Sequence, residues 1–120
     1  MRFNTPSIPR RKLLWEEEHS LYSPIYRKAL ALEKRGHVDE ALQGYIHILE
    51  EYMPIGSVYY ERPAIILERM GEYELAIQIC NQALRVANSG PHIHLPVDEL
   101  KHRKERLTAK LAKKRATASK

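Results

Sequence analysis

The chain has 120 residues, of which 43% are hydrophobic and 29% are charged, and these values are ordinary for one globular domain. No apolar stretch approaches the roughly 20 residues of a membrane-spanning helix, the N-terminus lacks the order of a signal peptide, and one cysteine cannot form an internal disulfide. We therefore expect a single cytoplasmic domain, residues 1–120, that makes no membrane contact.

The net charge of +5 is unevenly distributed along the chain. Residues 1–12 contain four basic residues and no acidic residue, while residues 101–120 contain nine basic residues and one acidic residue. These ends carry +4 and +8, which leaves −7 for residues 13–100. The sequence therefore predicts an acidic body with basic ends, and a polyanion would meet the ends first.

The first predicted elements are an extended lead-in over residues 1–10 and a helix over residues 11–22. This helix would place the apolar residues 13–15 against the rest of the domain. Its acidic run, residues 16–18, is interpreted as a solvated face or as a partner of the helix dipole.

The middle of the chain repeats itself after 35 residues. The segments 38–52 and 73–87 have apolar residues at the same offsets, which form one stripe along an amphipathic helix. Gly36 and Gly71 match under this shift, and glycine accepts the left-handed conformation in which helices commonly end. Each unit is therefore predicted to contain two helices whose short connection makes them pack antiparallel.

Capping residues indicate where the first helix of each unit starts. Ser23 before Pro24 has the order of an N-cap followed by a first-turn proline, and Ser57 could cap the second unit. Pro63 lies further along, where it would remove a helical hydrogen bond. Two alternatives follow. The helix runs through Pro63 with a kink, which we favour, or its regular part begins near Arg62.

Residues 36–45 (GHVDEALQGY) and 71–84 (GEYELAIQICNQAL) resemble the second half of tetratricopeptide repeats. The resemblance covers residues 22–88 and implies an all-α fold, a short α-solenoid of two helix-turn-helix units at about residues 22–54 and 57–88. It also implies a groove, lined by the first helix of each unit, that holds a peptide or a partner's helix.

A final helix is predicted at residues 96–115, and residues 116–120 are predicted to fray. Its apolar residues are spaced for one face, and they are Val97, Leu100, Leu107 and Leu111. Because two stacked repeats at residues 23–88 bury little apolar surface, we expect this basic helix and the N-terminal helix to cap them.

The groove is predicted on the exposed side of the first helix of each unit. Its eight residues are Tyr26, Leu30, Glu33, Lys34, Glu61, Ile65, Glu68 and Arg69. This mixture suits an amphipathic helix or peptide, and it lacks the Lys and Asn set with which chaperone-binding members of the family hold a C-terminal carboxylate. We therefore expect a non-enzymatic protein–protein interaction module whose partner is another protein or a second copy of the chain.

The alternative is a nucleic-acid or ribosome-associated accessory protein that uses the basic ends. The residues that would bind the polyanion are Arg10, Arg11, Lys12, Lys101, Arg103, Lys104, Arg106, Lys110, Lys113, Lys114 and Arg115. A basic tail is more commonly a solvated helix or a partner of an acidic body in the same chain, and no base-reading motif accompanies this one.

No catalytic, cofactor or metal site is predicted. The sequence contains no recognisable motif that pairs a nucleophile with a general base, and it has no phosphate-binding glycine loop. His92, His94 and His102 could share a metal, but no cysteine or acid cluster completes a ligand set, so we interpret them as exposed histidines. Cys80 lies on a packing stripe and is expected to be buried.

Overall fold

The computed structural model describes residues 12–89 and 95–118, with the side chains of residues 17–89 and 95–118. Within these ranges the chain forms five helices, namely α1 (Lys12–Lys34), α2 (Val38–Glu51), α3 (Val58–Arg69), α4 (Tyr73–Ala87) and α5 (Val97–Ala118). Each helix packs against the next one along the chain. The predicted all-α fold is confirmed. None of the described helices is both long and apolar enough to cross a bilayer.

Both helical pairs turn at a glycine in the left-handed conformation, with φ values of 88° at Gly36 and 78° at Gly71. After α1, the N–H of His37 donates to the carbonyl of Leu32 at 2.9 Å. After α3, the N–H of Glu72 donates to the carbonyl of Leu67, which occupies the equivalent position, at 2.8 Å. The repeat in the sequence therefore produces the same helix ending twice.

α1 is one continuous helix, so the prediction of a separate helix at residues 11–22 and of a new start at Ser23 was wrong. Pro24 lies inside α1 and is exposed. Proline has no N–H to donate to the carbonyl four residues earlier, at Ser20. Because both residues are exposed, water can bind that carbonyl, and the helix continues through the proline.

α3 begins at Val58 and runs through the buried Pro63, so the alternative in which its regular part begins near Arg62 was wrong. Ser57 precedes the helix, but its side chain makes no capping hydrogen bond, so the predicted capping role was wrong. Its backbone is helical, with φ −63° and ψ −33°, whereas an N-cap side chain reaches the helix from extended backbone. The carbonyl of Ser57 instead accepts the N–H groups of Tyr60 and Glu61.

Small residues let the helices of the core approach closely. The buried alanines on facing helices are Ala29, Ala41, Ala64, Ala76 and Ala83. A Cβ atom built at Gly44 would lie only 3.1 Å from the Cβ of Ala29, so α1 and α2 pack at a distance that favours glycine. Gln82 is buried among apolar residues, and its amide donates to the carbonyl of Leu49 at 3.0 Å. This contact satisfies a carbonyl that the end of α2 leaves without a helical donor.

α5 is the basic capping helix, and Leu107, which is completely buried, anchors it. The helix continues to Ala118, so the prediction that residues 116–118 fray was wrong. The hydroxyl of Thr117 donates to the carbonyl of Lys113 at 2.9 Å, and alanine and lysine have high helix propensity. The predicted lead-in and the pair His92 and His94 lie outside the described residues.

Candidate functional site

The odd-numbered helices are joined by charged side chains that reach from one helix to the next. Glu33 of α1 accepts hydrogen bonds from the guanidinium of Arg62 on α3. Glu68 of α3 accepts hydrogen bonds from Arg106 at 2.9 Å and from Lys110 at 2.6 Å, both on α5. α1, α3 and α5 are therefore connected in chain order, and we term this layer of three helices the wall.

Glu33 also binds α2, because the hydroxyl of Tyr45 donates to its carboxylate at 2.8 Å. Only 12% of the Glu33 side chain is exposed. The hydrogen bond from Arg62 lowers the pKa of Glu33, the Tyr45 hydroxyl and the charge of Arg69 lower it further, and partial burial opposes them. Burial, followed by the hydrogen bond to Glu33, raises the pKa of Tyr45. Glu33 is thus an ionised internal link between three helices.

Glu68 occupies the equivalent position on α3, and 16% of its side chain is exposed. The hydrogen bond from Arg106 is the main cause that lowers the pKa of Glu68 to about 2, with a second contribution from Lys110 and an opposing one from burial. The carboxylate therefore stays ionised at neutral pH and holds α5 against α3. Both glutamates were predicted to line the groove. In the structure each one binds cations of the next odd-numbered helix and so connects two helices.

Aromatic rings fill the junction between α1 and α3. The ring centroid of Tyr26 lies 4.9 Å from that of Tyr59 on α3 and 5.7 Å from that of Tyr45 on α2. Tyr26, predicted as a groove residue, is half-buried and packs against the core. The hydroxyl of Tyr59 also lies 3.4 Å from Nε2 of His19. Tyr26 therefore supports the wall of α1 and α3.

Two equivalent rows of exposed and half-exposed side chains lie on α1 and α3. Their members are spaced by three and four residues, so each row occupies one helix face. Together with two cations of α5, they form the surface that we term the trough. Its residues are Arg27, Leu30, Lys34, Val58, Arg62, Ile65, Arg69, Arg106 and Lys110.

A cation of each row acts electrostatically on a residue of the neighbouring helix. Burial raises the pKa of Tyr59 on α3, and the charge of Arg27 on α1 opposes this rise. In the other direction, the charge of Arg69 on α3 acts on Glu33 of α1.

The structure places the predicted groove residues in three different environments. Glu33 and Glu68 are held in ion pairs. The half-exposed residues are Tyr26, Leu30 and Ile65, and the exposed residues are Lys34, Glu61 and Arg69.

The predicted groove lacked five residues of the trough. Arg106 and Lys110 were predicted to bind a polyanion instead, and Arg27, Val58 and Arg62 were in neither set of site residues. Arg27 and Arg62 are identical under the 35-residue shift, and this identity was a signal that could have found them. Val58 lies four residues before Arg62 on the same helix face, and 43% of it is exposed.

A small cavity of about 30 Å³ lies between α3, α4 and α5. Cys80, Glu61 and Leu100 are among the residues that line it. Burial raises the pKa of the Cys80 thiol, so the protonated form is favoured, as expected for a buried structural cysteine.

Several cations of α5 that were predicted to bind a polyanion contact the body of the protein instead. Besides Arg106 and Lys110, Lys114 donates to the carbonyl of Gly71 at 2.7 Å, and Arg115 lies 3.7 Å from Glu74. Lys101 and Lys113 are exposed, while Arg103 and Lys104 are half-exposed. Arg10 and Arg11 lie outside the described residues, as does the side chain of Lys12.

Within the described part of the chain, no group of His, Cys, Asp or Glu side chains is arranged to hold a metal ion. No family model and no solved structure matches this chain. The resemblance to tetratricopeptide repeats stays a prediction based on the residues quoted for it.

Proposed function

We propose that this chain is a non-enzymatic interaction module that binds a helix or an extended segment of another protein in the trough. The observation that carries the proposal is the row of aliphatic side chains that the chain leaves partly uncovered there. Val58, Leu30 and Ile65 lie between charged residues on two neighbouring helices. Apolar contacts flanked by charges supply both affinity and register to a bound segment.

The internal ion pairs support this proposal because they fix the spacing of the helices. Glu33 connects α1 to α3, and Glu68 connects α3 to α5. A preformed surface loses less conformational entropy when a partner binds than a mobile one does.

Polyanion binding through the basic ends is the second candidate, and the exposed Lys101 and Lys113 support it. The geometry favours protein binding for two reasons. Lys114 and Arg115 of α5 already contact the body of the protein. Phosphate neutralisation alone also gives no role to the aliphatic residues of the trough.

The test is affinity capture from native lysate with a double variant, Leu30→Gln and Ile65→Gln, that leaves the net charge unchanged. The matched control is Leu21→Gln, which changes an exposed apolar residue of α1 that is 59% exposed and lies outside the trough. Circular dichroism establishes that both variants are folded. We expect captured proteins to be lost with the double variant and retained with the control. Equal capture by the two variants would remove the trough as the binding surface.

A further inference from the structure

The trough repeats one pattern of charge and hydrophobicity on adjacent helices. On α1 the row reads Arg27, Leu30, Lys34, and 35 residues later the row on α3 reads Arg62, Ile65, Arg69. Each row is thus a cation, an aliphatic residue and a second cation on one helix face. Two cations of α5 extend the pattern beyond α3, and 50% and 44% of the Arg106 and Lys110 side chains are exposed.

Most of the negative charge near the trough is directed inward. The carboxylates of Glu33 and Glu68 are almost covered, and each is neutralised by the cations that bind it. Glu61 is the exposed acid of α3; it lines the cavity between α3, α4 and α5, and its charge also contributes to the raised pKa of Tyr26 on α1. The side chains that a ligand would meet in the rows of the trough are therefore mainly cationic and aliphatic.

The acidic character of the body is concentrated on a different helix. α2 contains Asp39, Glu40, Glu50 and Glu51, all exposed, and neither lysine nor arginine. α2 contributes no residue to the trough. This separation of charge would orient a charged partner as it approaches, because the two surfaces have opposite potentials.

We propose that the segment bound in the trough is an acidic amphipathic helix, with carboxylates on both sides of an apolar row. The apolar row would contact Leu30, Val58 and Ile65, and the carboxylates would reach the cations at the ends of each row. Helix positions three and four residues apart lie about 5 to 6 Å from each other, so acids at this spacing match cations at the same spacing. This inference rests on the proposed function and specifies the class of partner.

The experiment measures fluorescence anisotropy of the full-length chain with a labelled synthetic peptide of about 16 residues, which is long enough for appreciable helix formation. The peptide carries leucines on one face and glutamates on both sides of it. Two matched peptides replace every glutamate with glutamine or with lysine. A single-stranded RNA of similar length is the fourth probe.

The expected result is binding of the glutamate peptide that weakens with added salt and that exceeds binding of the glutamine and lysine peptides. The double variant Arg27→Glu and Arg69→Glu should weaken this binding by about tenfold or more, since two contacts become repulsive. The control, Lys28→Glu with Arg85→Glu, makes the same charge change at exposed residues outside the trough and should change the affinity by less than about twofold.

Other outcomes would overturn the inference. Preference for the glutamine or lysine peptide, with loss in the Leu30→Gln and Ile65→Gln variant, would exclude an acidic partner while leaving the proposed function intact. Binding of RNA alone would favour the nucleic-acid candidate. Self-association by light scattering that Arg27→Glu with Arg69→Glu abolishes would assign the trough to a second copy of the chain. If none of the probes binds, the acidic helix is rejected, and the capture experiment decides separately on the proposed function.

Discussion

The two helical pairs, α1 with α2 and α3 with α4, use the same glutamate for different connections. Glu33 and Glu68 are equivalent under the 35-residue shift, and each reaches from one odd-numbered helix to the next. In the first pair, Tyr45 of α2 also donates to the glutamate. In the second pair, the residue at the equivalent position is Cys80, which lines a small cavity and is too short to replace the tyrosine.

This difference shows which features the repeat determines and which depend on the following helix. The turn, the stripe of small and apolar residues and the glutamate recur because they lie within one unit. The cations that bind each glutamate lie on the next odd-numbered helix. Arg62 of α3 binds Glu33, whereas Arg106 and Lys110 of α5 both bind Glu68. The two pairs therefore share the glycine turn but differ in polar contacts.

The substitution with the largest expected effect removes the apolar anchor of the second pair. Leu107→Ala should lower the free energy of unfolding by about 2 to 5 kcal/mol, because the side chain is completely buried where α5 covers the pair. Urea unfolding followed by circular dichroism measures the loss. Leu111→Ala, at a half-exposed site on the same helix, is the control and should cost less. A loss below about 1 kcal/mol for Leu107→Ala would mean that α5 does not stabilise the pair.

The next substitution makes the first pair more similar to the second. Tyr45→Phe removes the hydroxyl that donates to Glu33, and hydrogen bonds to charged groups contribute about 1.5 to 3 kcal/mol. We expect a loss of stability in this range by urea unfolding. Tyr52→Phe, at a half-buried site of the same aromatic cluster, should change stability by less than about 0.5 kcal/mol. Equal effects of the two variants would show that the contact with Glu33 is not stabilising.

Two glycine substitutions test whether the turns of the pairs are equivalent. Gly36→Ala and Gly71→Ala should each cost about 1 to 2 kcal/mol, because both residues have positive φ, which disfavours a Cβ atom. A Cβ atom at Gly36 would meet no atom within 4 Å, and one at Gly71 would lie 3.7 Å from Nζ of Lys114. The two losses should therefore be similar in thermal or urea unfolding. A difference much greater than about 1 kcal/mol would contradict equivalent turns.

The smallest expected effect is a pH dependence located at the two glutamates. Their pKa values are lowered in the folded state, that of Glu68 to about 2 from an ordinary value of 4.5. The unfolded chain therefore binds protons first, and the stabilisation is present above about pH 4.5 and is lost as the pH falls toward 2. Glu68→Gln should flatten this part of the curve of unfolding free energy against pH. Glu74→Gln, which changes an exposed acid, should leave the curve unchanged, and the same slope in all three proteins would refute the role of Glu68.

Local pattern was sufficient to predict α2, α3, α4 and the two turns, because apolar spacing and glycine act within a few residues. It failed for α1, where Ser23 followed by Pro24 indicated a helix start but the helix continues through the proline. It also did not predict the ion pairs of Glu33 and Glu68. Glu33 pairs with a residue 29 positions away and Glu68 with one 38 positions away. Such pairs depend on how the helices stack, which a single sequence does not specify.

The most direct test of the central claim, that the trough is the binding surface, is an NMR titration of the ¹⁵N-labelled chain with the glutamate peptide. We expect the largest shift changes at the amides of α1 and α3 near Arg27, Leu30, Ile65 and Arg69, and small changes in α2. Shift changes concentrated on the acidic face of α2 would contradict the claim that the trough is the binding surface, and the absence of any shift change would reject the acidic helix as its partner.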